Sequence, residues 1–502
     1  MNPCQKQLQN WSNQPFAKQL ARRYPKAEIF LVGGAVRDLM LDRPTKDFDF
    51  VIREVNKNDL ENFLKKFGKV DLVGKRFGVF KFKPRGWTGE EIDIALPRTE
   101  HSLNFSGAYR DFKIQSKANL KIEDDLSRRD FTINAMAIKI SQISTPKAHP
   151  PRAENLKSQN YLVDPFGGLN DLNKKIIRTV GKPELRFKED YSRMLRAIRF
   201  ACQLNFQIES KTWQVIKKQI KNLNKKIADE RVVAYEIIAK ELTRAFSANP
   251  VLALELLNKS GAIKNLFPEL LKMKNCPQPK NWHSEGDVWT HTILALTKLN
   301  STALIKEFDK KIPSAEVIWS LIFHDLGKPF TITHEDRIRF SGHEIVSVKK
   351  FREISEQLKL ASTGLNVDVV EKIIAKHMIL AGNTVSEMKD TTIEKYFFNP
   401  NFPGTELLMA IYADILATVP PNGQPDFSNY KKLKNRINKI KKTTRAKNVL
   451  PKPLVDGNDL MKTFKLTASP KIGKLLGLLR EAQLRGKVKS KTAGLKYIKK
   501  YL

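Results

Sequence analysis

The stretch LVGGAVRD at residues 31–38, followed by KDFDF at 46–50, decides the fold of this 502-residue chain. Glu28 to Val32 carries an apolar run that predicts a strand, Gly33-Gly34 interrupts it, and AVRDLML has the pattern of a helix's first turns. A strand, a glycine turn and a helix N-terminus cradle phosphate, because free backbone N–H groups converge where no Cβ obstructs a ligand. Phe48 to Val51 predicts a second strand, and the two-residue strand period sets Asp47 and Asp49 on one face. Paired carboxylates beside such a cradle can gather divalent ions around a nucleoside triphosphate. Further strands are expected at Phe77 to Phe82 and Glu91 to Ala95, and Phe131 to Ile140 runs through helix or strand against the same sheet. The unit is therefore α+β.

Outward from this unit, the length exceeds what one hydrophobic core serves and predicts three or four packed units. A break at Lys182-Pro183 opens a mainly helical region, with helices expected over Lys188–Leu204, Ala228–Phe246 and Val251–Asn258. A second helical stretch runs from about Trp282 to Thr418, ends at the break VPPNGQP, and gives way to a basic tail. Residues 141–160, rich in proline, serine and lysine, read as a loop excursion. The expected segments are 1–180 (head), 181–275 (neck), 276–425 (a second helical domain) and 426–502 (tail).

Hydrophobic residues at 41% and charged residues at 28% fit folded cores and argue against disorder. No apolar run approaches the roughly 20 residues that cross a bilayer, and Met1 to Trp11 is polar, so a cytoplasmic protein without a membrane partner is expected. Cys4, Cys202 and Cys276 lack the spacing of a zinc or redox pair and read as plain thiols. The net charge is +36, and residues 431–502 hold 22 basic against 3 acidic side chains, so over half of the excess sits in the last seventh of the chain. That balance predicts a polyanionic partner. The tail's KKLKNRINKIKK, residues 431–442, suits phosphate contact, and Gly473 can admit an RNA backbone.

With RRDFTINAMA at 128–137, the three motifs in order resemble the class II branch of the DNA polymerase β-like nucleotidyltransferase superfamily, which contains tRNA CCA-adding enzymes and bacterial poly(A) polymerases. The resemblance implies a polymerase β-like head followed by a helical neck. It makes Asp47 and Asp49 catalytic and metal-binding, with Mg2+ as the ion. Asp93 is either a third metal carboxylate or a structural acid. Gly33 and Gly34 would admit the triphosphate, Arg37 would pair with it and Asp38 would brace Arg37. Of Arg128 and Arg129, one reaches substrate and the other forms an internal ion pair. Asn134 contacts substrate or braces the backbone.

KEDYSRMLRAIRF, residues 188–200, resembles the E-D-x-x-R motif of class II enzymes, which assigns Asp190 and Arg193 to base selection, with Arg196 and Arg199 nearby. Their steps of three would line one helical face. A carboxylate accepting from an exocyclic amine beside an arginine donating to a ring acceptor fits cytosine and adenine. Glu230 and Arg231 resemble a neck motif that supports this helix, and Arg98 to Lys117 resembles the mobile loop of CCA-adding enzymes, although its composition shows only a polar connection.

His291, His324-Asp325 and Asp414, within EGDVWTHT (285–292) and HDLGKP (324–329), resemble the HD phosphohydrolase superfamily. His343 and His377 lie between them. The resemblance implies a helical HD domain holding one transition ion or two and hydrolysing phosphomonoesters or 2′,3′-cyclic phosphates, with Lys328 near phosphate. The favoured activity is addition or repair of the tRNA 3′-terminal CCA with CTP and ATP. The alternatives are poly(A) polymerase, an A-adding enzyme, or a non-catalytic RNA-binding protein. Oligomeric state is left open.

Overall fold

The computed structural model describes residues 15–45, 48–73, 79–87, 90–102, 107, 112–140, 161–381, 384–444 and 450–502. The chain forms two compact units, residues 1–266 and 267–502. The expected head and the expected neck as far as Leu266 lie in the first; residues 267–275, read as the end of the neck, lie with the second helical domain and the tail in the second. Asp47 and the 141–160 stretch lie outside the described residues.

The first unit is built on a seven-stranded sheet of order β3-β4-β5-β2-β1-β8-β9. Its strands are β1 (Glu28–Val32), β2 (Asp49–Arg53), β3 (Gly68–Val73), β4 (Val79–Pro84), β5 (Ile92–Ala95), β8 (Ala137–Lys139) and β9 (Leu162–Val163), while β6 (Arg98–Ser102) and β7 (Phe112–Ser116) pair apart from it. Four consecutive buried residues in β1, Ile29 to Val32, mean that this strand is covered on both faces, which explains its unbroken apolar run. One face packs Phe30, Val32 and Val51 on Ile122, Leu126, Ala135 and Val180. β1 is antiparallel to β2 with Val32 opposite Asp49, so the glycine turn after Val32 emerges next to that carboxylate.

Two helical expectations are corrected. The helix expected over Lys188–Leu204 is two, Pro183–Glu189 and Ser192–Leu204, broken where Asp190 takes an extended backbone. Asp190 therefore precedes the helix carrying Arg193, Arg196 and Arg199 and does not share its face. The helix expected from Ala228 begins at Tyr235, because Lys226–Ile227 and Glu230–Arg231 form a hairpin whose turn, Ala228-Asp229, has positive φ. Residues 98–117, read as a polar connection, contain the β6–β7 ribbon.

In the second unit, helices Val288–Lys298, Ala315–Phe323, His343–Leu358, Val367–Lys376 and Gly404–Ala417 pack around Trp319, Phe323 and Phe351. Asp287, Ser314 and Asn366 cap three of them by accepting from backbone N–H groups that have no helical partner. The helix Ser428–Thr444 buries Tyr430, Leu433, Ile437 and Ile440 and turns its lysines outward. Helices Gly457–Phe464, Pro470–Leu484 and Lys491–Ile498 close a small core of Leu460, Leu475, Leu479 and Ile498. Among the described residues, no helix is long and apolar enough to cross a membrane.

Candidate functional site

Gly33 ends β1 at φ +76°, ψ −134°, a conformation that a side chain adopts only with strain. A Cβ there would lie 2.5 Å from Arg129 Nη1, so the absence of a side chain is what lets that guanidinium close on the turn, with Asp49 Oδ2 at ordinary contact distance, 3.7 Å. Gly33 precedes the helix Gly34–Met40, which supplies Arg37. The Arg37 guanidinium donates to both oxygens of Asp38 at 2.9 Å, and its Nη1 donates to Asn134 Oδ1 at 2.8 Å.

Asp49 opens β2, and the parallel pairing of β2 with β5 sets it in register with Asp93. Residues in register on adjacent strands share a sheet face, so two carboxylates flank the cradle. Asp93 Oδ1 is shielded from solvent and makes no hydrogen bond; Lys81 approaches it at 3.3 Å.

Arg128 and Arg129 both pair with Asp125, at 2.9 and 3.4 Å. Asp125 is fully buried, and against the cost of burial the two guanidiniums hold its carboxyl below the usual range. Both arginines have an internal partner, and Arg129 is the one placed against Gly33. Sequence reasoning missed Asp125, although its spacing of three and four before the arginines was a readable signal.

On the helix Ser192–Leu204, each arginine has its own carboxylate. Arg193 is held by Glu189, one residue before Asp190. Arg196 binds Asp130 at 2.6 Å, and despite burial its charge, with that of Arg193, lowers the Asp130 pKa to about 2. Arg199 meets Glu241 of the helix Tyr235–Ala248 at 2.7 Å. Burial lowers Arg199 to about 10, with Glu241 opposing that shift and Arg196 and Arg244 adding to it. The Phe200 ring lies under three guanidiniums, Arg199 at 4.1 Å, Arg37 at 5.2 Å and Arg196 at 5.6 Å. Asp190 accepts from Ser192 N–H at 2.8 Å. Arg231 instead stacks on Tyr235 at 3.7 Å. Glu241 and Phe200 were missed because Glu241, next to Lys240 in AKELTR, has the local pattern of a solvent-facing helix acid, and Phe200 has that of a core residue.

These groups line one cavity of 780 Å³. Its walls bring together Gly34, Arg37, Asp49, Asp93, Arg128, Arg129, Asp190, Arg193, Arg196 and Arg199, with Ile237, Lys240 and Arg244 on a further side. A strand–glycine–helix cradle facing register-matched carboxylates and a wall of arginines defines a nucleotidyltransferase.

The comparisons with known proteins agree. The family described as "Poly A polymerase head domain" matches residues 29–178, and "Probable RNA and SrmB- binding site of polymerase A" matches 205–273. The multifunctional CCA protein of Neisseria gonorrhoeae (strain NCCP11945) is 30% identical over 367 residues, 73% of this chain and 77% of the relative. Among solved structures, the Bacillus stearothermophilus CCA-adding enzyme in complex with CTP matches with a TM-score of 0.61 at 20% identity, over 100% of this chain and 98% of that one. The Thermotoga maritima CCA-adding enzyme complexed with tRNA matches with a TM-score of 0.57 at 21% identity, over 100% and 96%. This chain belongs to the family of the bacterial multifunctional CCA proteins, the class II CCA-adding enzymes. Nucleotidyltransferases of this kind depend on divalent metal ions, and an all-oxygen pair with an unbonded Asp93 oxygen at the cradle's edge fits that requirement.

The second unit holds a separate cluster. His324, His343 and His377 each direct Nδ1 at a backbone carbonyl three residues back, at 2.8, 2.8 and 2.7 Å. A carbonyl only accepts, so Nδ1 carries a proton, and in the neutral ring Nε2 is the nitrogen left with a lone pair. His291 Nδ1 is directed in the same way at Glu285 at 2.8 Å. Among the described residues three trios with metal-ligand spacing result, His283/Glu285/His291, His291/His324/Asp414 and Asp325/His343/His377. Asp325 Oδ2 lies 3.2 Å from His324 Nε2, and its Oδ1 lies 3.3 Å from His343 Nε2. His324 Nε2 is buried and makes no hydrogen bond, and Asp325 Oδ2 beside it has the Lys328 ammonium as its ion-pair partner. Burial works against protonation of His324, yet the negative charge of Asp325 and Asp414 beside it pushes its pKa up to about 10, so the pocket favours a positive charge at this place. Lys328 is buried between Asp325, at 2.7 Å, and Gln278, at 2.8 Å. The structure thus gathers His291, His324, Asp325 and Asp414 and adds His343, His377 and Glu285, which the sequence left without a role.

Proposed function

We propose that this chain builds or repairs the CCA end of tRNA from CTP and ATP without a nucleic-acid template, releasing pyrophosphate at each addition. The observation that carries this is the single cavity joining the Gly33 cradle, the Asp49–Asp93 pair and the arginine wall that begins at Asp190. Magnesium ions at these carboxylates, with Asp47 as the further ligand, would activate the acceptor hydroxyl and offset charge on the attacked and leaving phosphates. Arg37, locked by Asp38 and Asn134, orients triphosphate oxygens, and Arg129 presents a donor beside the glycine turn. Asp190 and Arg193 select the base: the carboxylate accepts from the amine shared by cytosine and adenine, and the guanidinium donates to the neighbouring acceptor. The 205–273 match includes the Tyr235–Ala248 helix, which supports RNA engagement on that side.

The test supplies tRNAs lacking the terminal triplet, its last two nucleotides, or only its adenosine, with CTP, ATP or both, and sequences the products. Ordered completion that stops at CCA supports this reading. Unbounded adenosine addition would make the chain a poly(A) polymerase, and adenosine added only after two cytidines an A-adding enzyme.

A second reading concerns residues 276–425. Four imidazoles, each with Nδ1 held by an acceptor, converging on two carboxylates, support a transition-metal HD site that hydrolyses phosphomonoesters or cyclic phosphates. Metal analysis of purified protein and hydrolysis of 2′,3′-cyclic AMP with nickel or manganese test it. No bound metal and no turnover would dismiss it.

A further inference from the structure

The helix Tyr235–Ala248 presents two flanks to the cavity. Glu241 faces inward and neutralises Arg199, while Ile237, Lys240 and Arg244 form an exposed stripe at steps of three and four. Among the described residues, neither Lys240 nor Arg244 has an ion-pair or hydrogen-bond partner. In the same cavity Arg37, Arg128, Arg129, Arg193, Arg196 and Arg199 are each matched to a carboxylate. Unmatched cations in a cavity wall face a site that receives anions from outside.

We propose that Ile237, Lys240 and Arg244 form the subsite for the last nucleotides of the RNA acceptor strand, with the two cations on successive phosphodiesters and Ile237 against a base or ribose face. This rests on the nucleotidyl-transfer reading and deepens it. The incoming triphosphate already has the glycine turn and Arg37 on the sheet side, whereas the stripe belongs to the neck helix that carries Glu241. A second polyanion is what the reaction still lacks a place for, and an acceptor strand is one. Lys240 and Arg244 are about 6 Å apart along the helix axis, commensurate with the step between phosphates on one strand. Ile237 is 38% exposed beside the two cations of the stripe, which suits the apolar face of a nucleotide and not another phosphate.

The experiment measures CMP addition to tRNA lacking its terminal triplet by the full chain, comparing wild type with K240Q, R244Q and the double variant. The expected result is a KM for tRNA raised about tenfold or more in each single variant, with the KM for CTP unchanged. The dependence of log KM on log salt should become shallower by about 0.7 for each cation removed, and K240R should restore the wild-type value. A raised KM for CTP with an unchanged KM for tRNA would assign the cations to the triphosphate and overturn the proposal. Unchanged KM values and salt slope would make the stripe a solvated face and overturn it equally. If wild type adds no nucleotide, the nucleotidyl-transfer reading fails and takes this assignment with it.

Discussion

The Arg199–Glu241 pair invites a quantitative test, because both side chains are under 10% exposed and 2.7 Å apart. At an effective dielectric near 20, opposite charges about 4 Å apart attract by roughly 4 kcal/mol, and removing one member of a buried pair costs about 3–5 kcal/mol because the other charge is left without compensation. Arg199 also lies near Arg196 and Arg244, which sharpens that penalty. We expect E241L and R199M each to destabilise the neck by about 3 kcal/mol. The double variant should also cost about 3 kcal/mol instead of the additive 6, a coupling of about 3 kcal/mol. Since the chain has two compact units, the measurement should be local: amide exchange of peptides from Ser192–Leu204 and Tyr235–Ala248 reports their opening free energy directly. Additivity within about 0.5 kcal/mol would refute the reasoning, and Arg199 would then be solvated despite its burial.

Four further outcomes follow. D49A and D93A should each lower kcat for CMP addition by at least about 10³-fold, reflecting several kcal/mol of lost charge stabilisation, with tRNA affinity by filter binding unchanged; a D93A enzyme of normal rate would make Asp93 a structural acid. G33A forces a Cβ to 2.5 Å from Arg129 Nη1 at a positive φ, so CTP affinity should fall and the fold should lose about 1–3 kcal/mol. The folded-state pKa of Asp130 is depressed to about 2, so its contribution of about 2 kcal/mol is complete above pH 4 and disappears as pH falls through 2. Exchange-derived stability should therefore drop more between pH 5 and pH 2 in wild type than in D130N. E285Q, which alters the group that orients His291, should weaken nickel binding about 10- to 100-fold by calorimetry, with CCA addition intact.

What the sequence determined is local. A strand ending in two glycines and a helix has one economical geometry, so the cradle, Arg37 and its Asp38 brace followed from residues 28–40, and the strand at Asp49 from its apolar neighbours. His291, His324, Asp325 and Asp414 were legible as a set through their spacing and the resemblance of their flanking strings, and the fold brings the four together. The sequence also carried the class of substrate, through the resemblance of its motifs and the charge of its tail.

Only tertiary structure decided partnerships across long separations. That Asp93 stands beside Asp49 depends on the parallel register of strands over 40 residues apart, and that Arg199 needs Glu241 depends on two neck helices packing together. Periodicity placed Asp190 and Arg193 on one helix, whereas the backbone breaks at Asp190, which its own hydrogen bond to Ser192 N–H stabilises. A hairpin with positive φ at Ala228 and Asp229 likewise displaced the next helix, although its residues alone read as helical. Sequence patterns report which residues prefer burial or a turn; the energy of pairing charges in a buried wall depends on distances that only the packed chain sets.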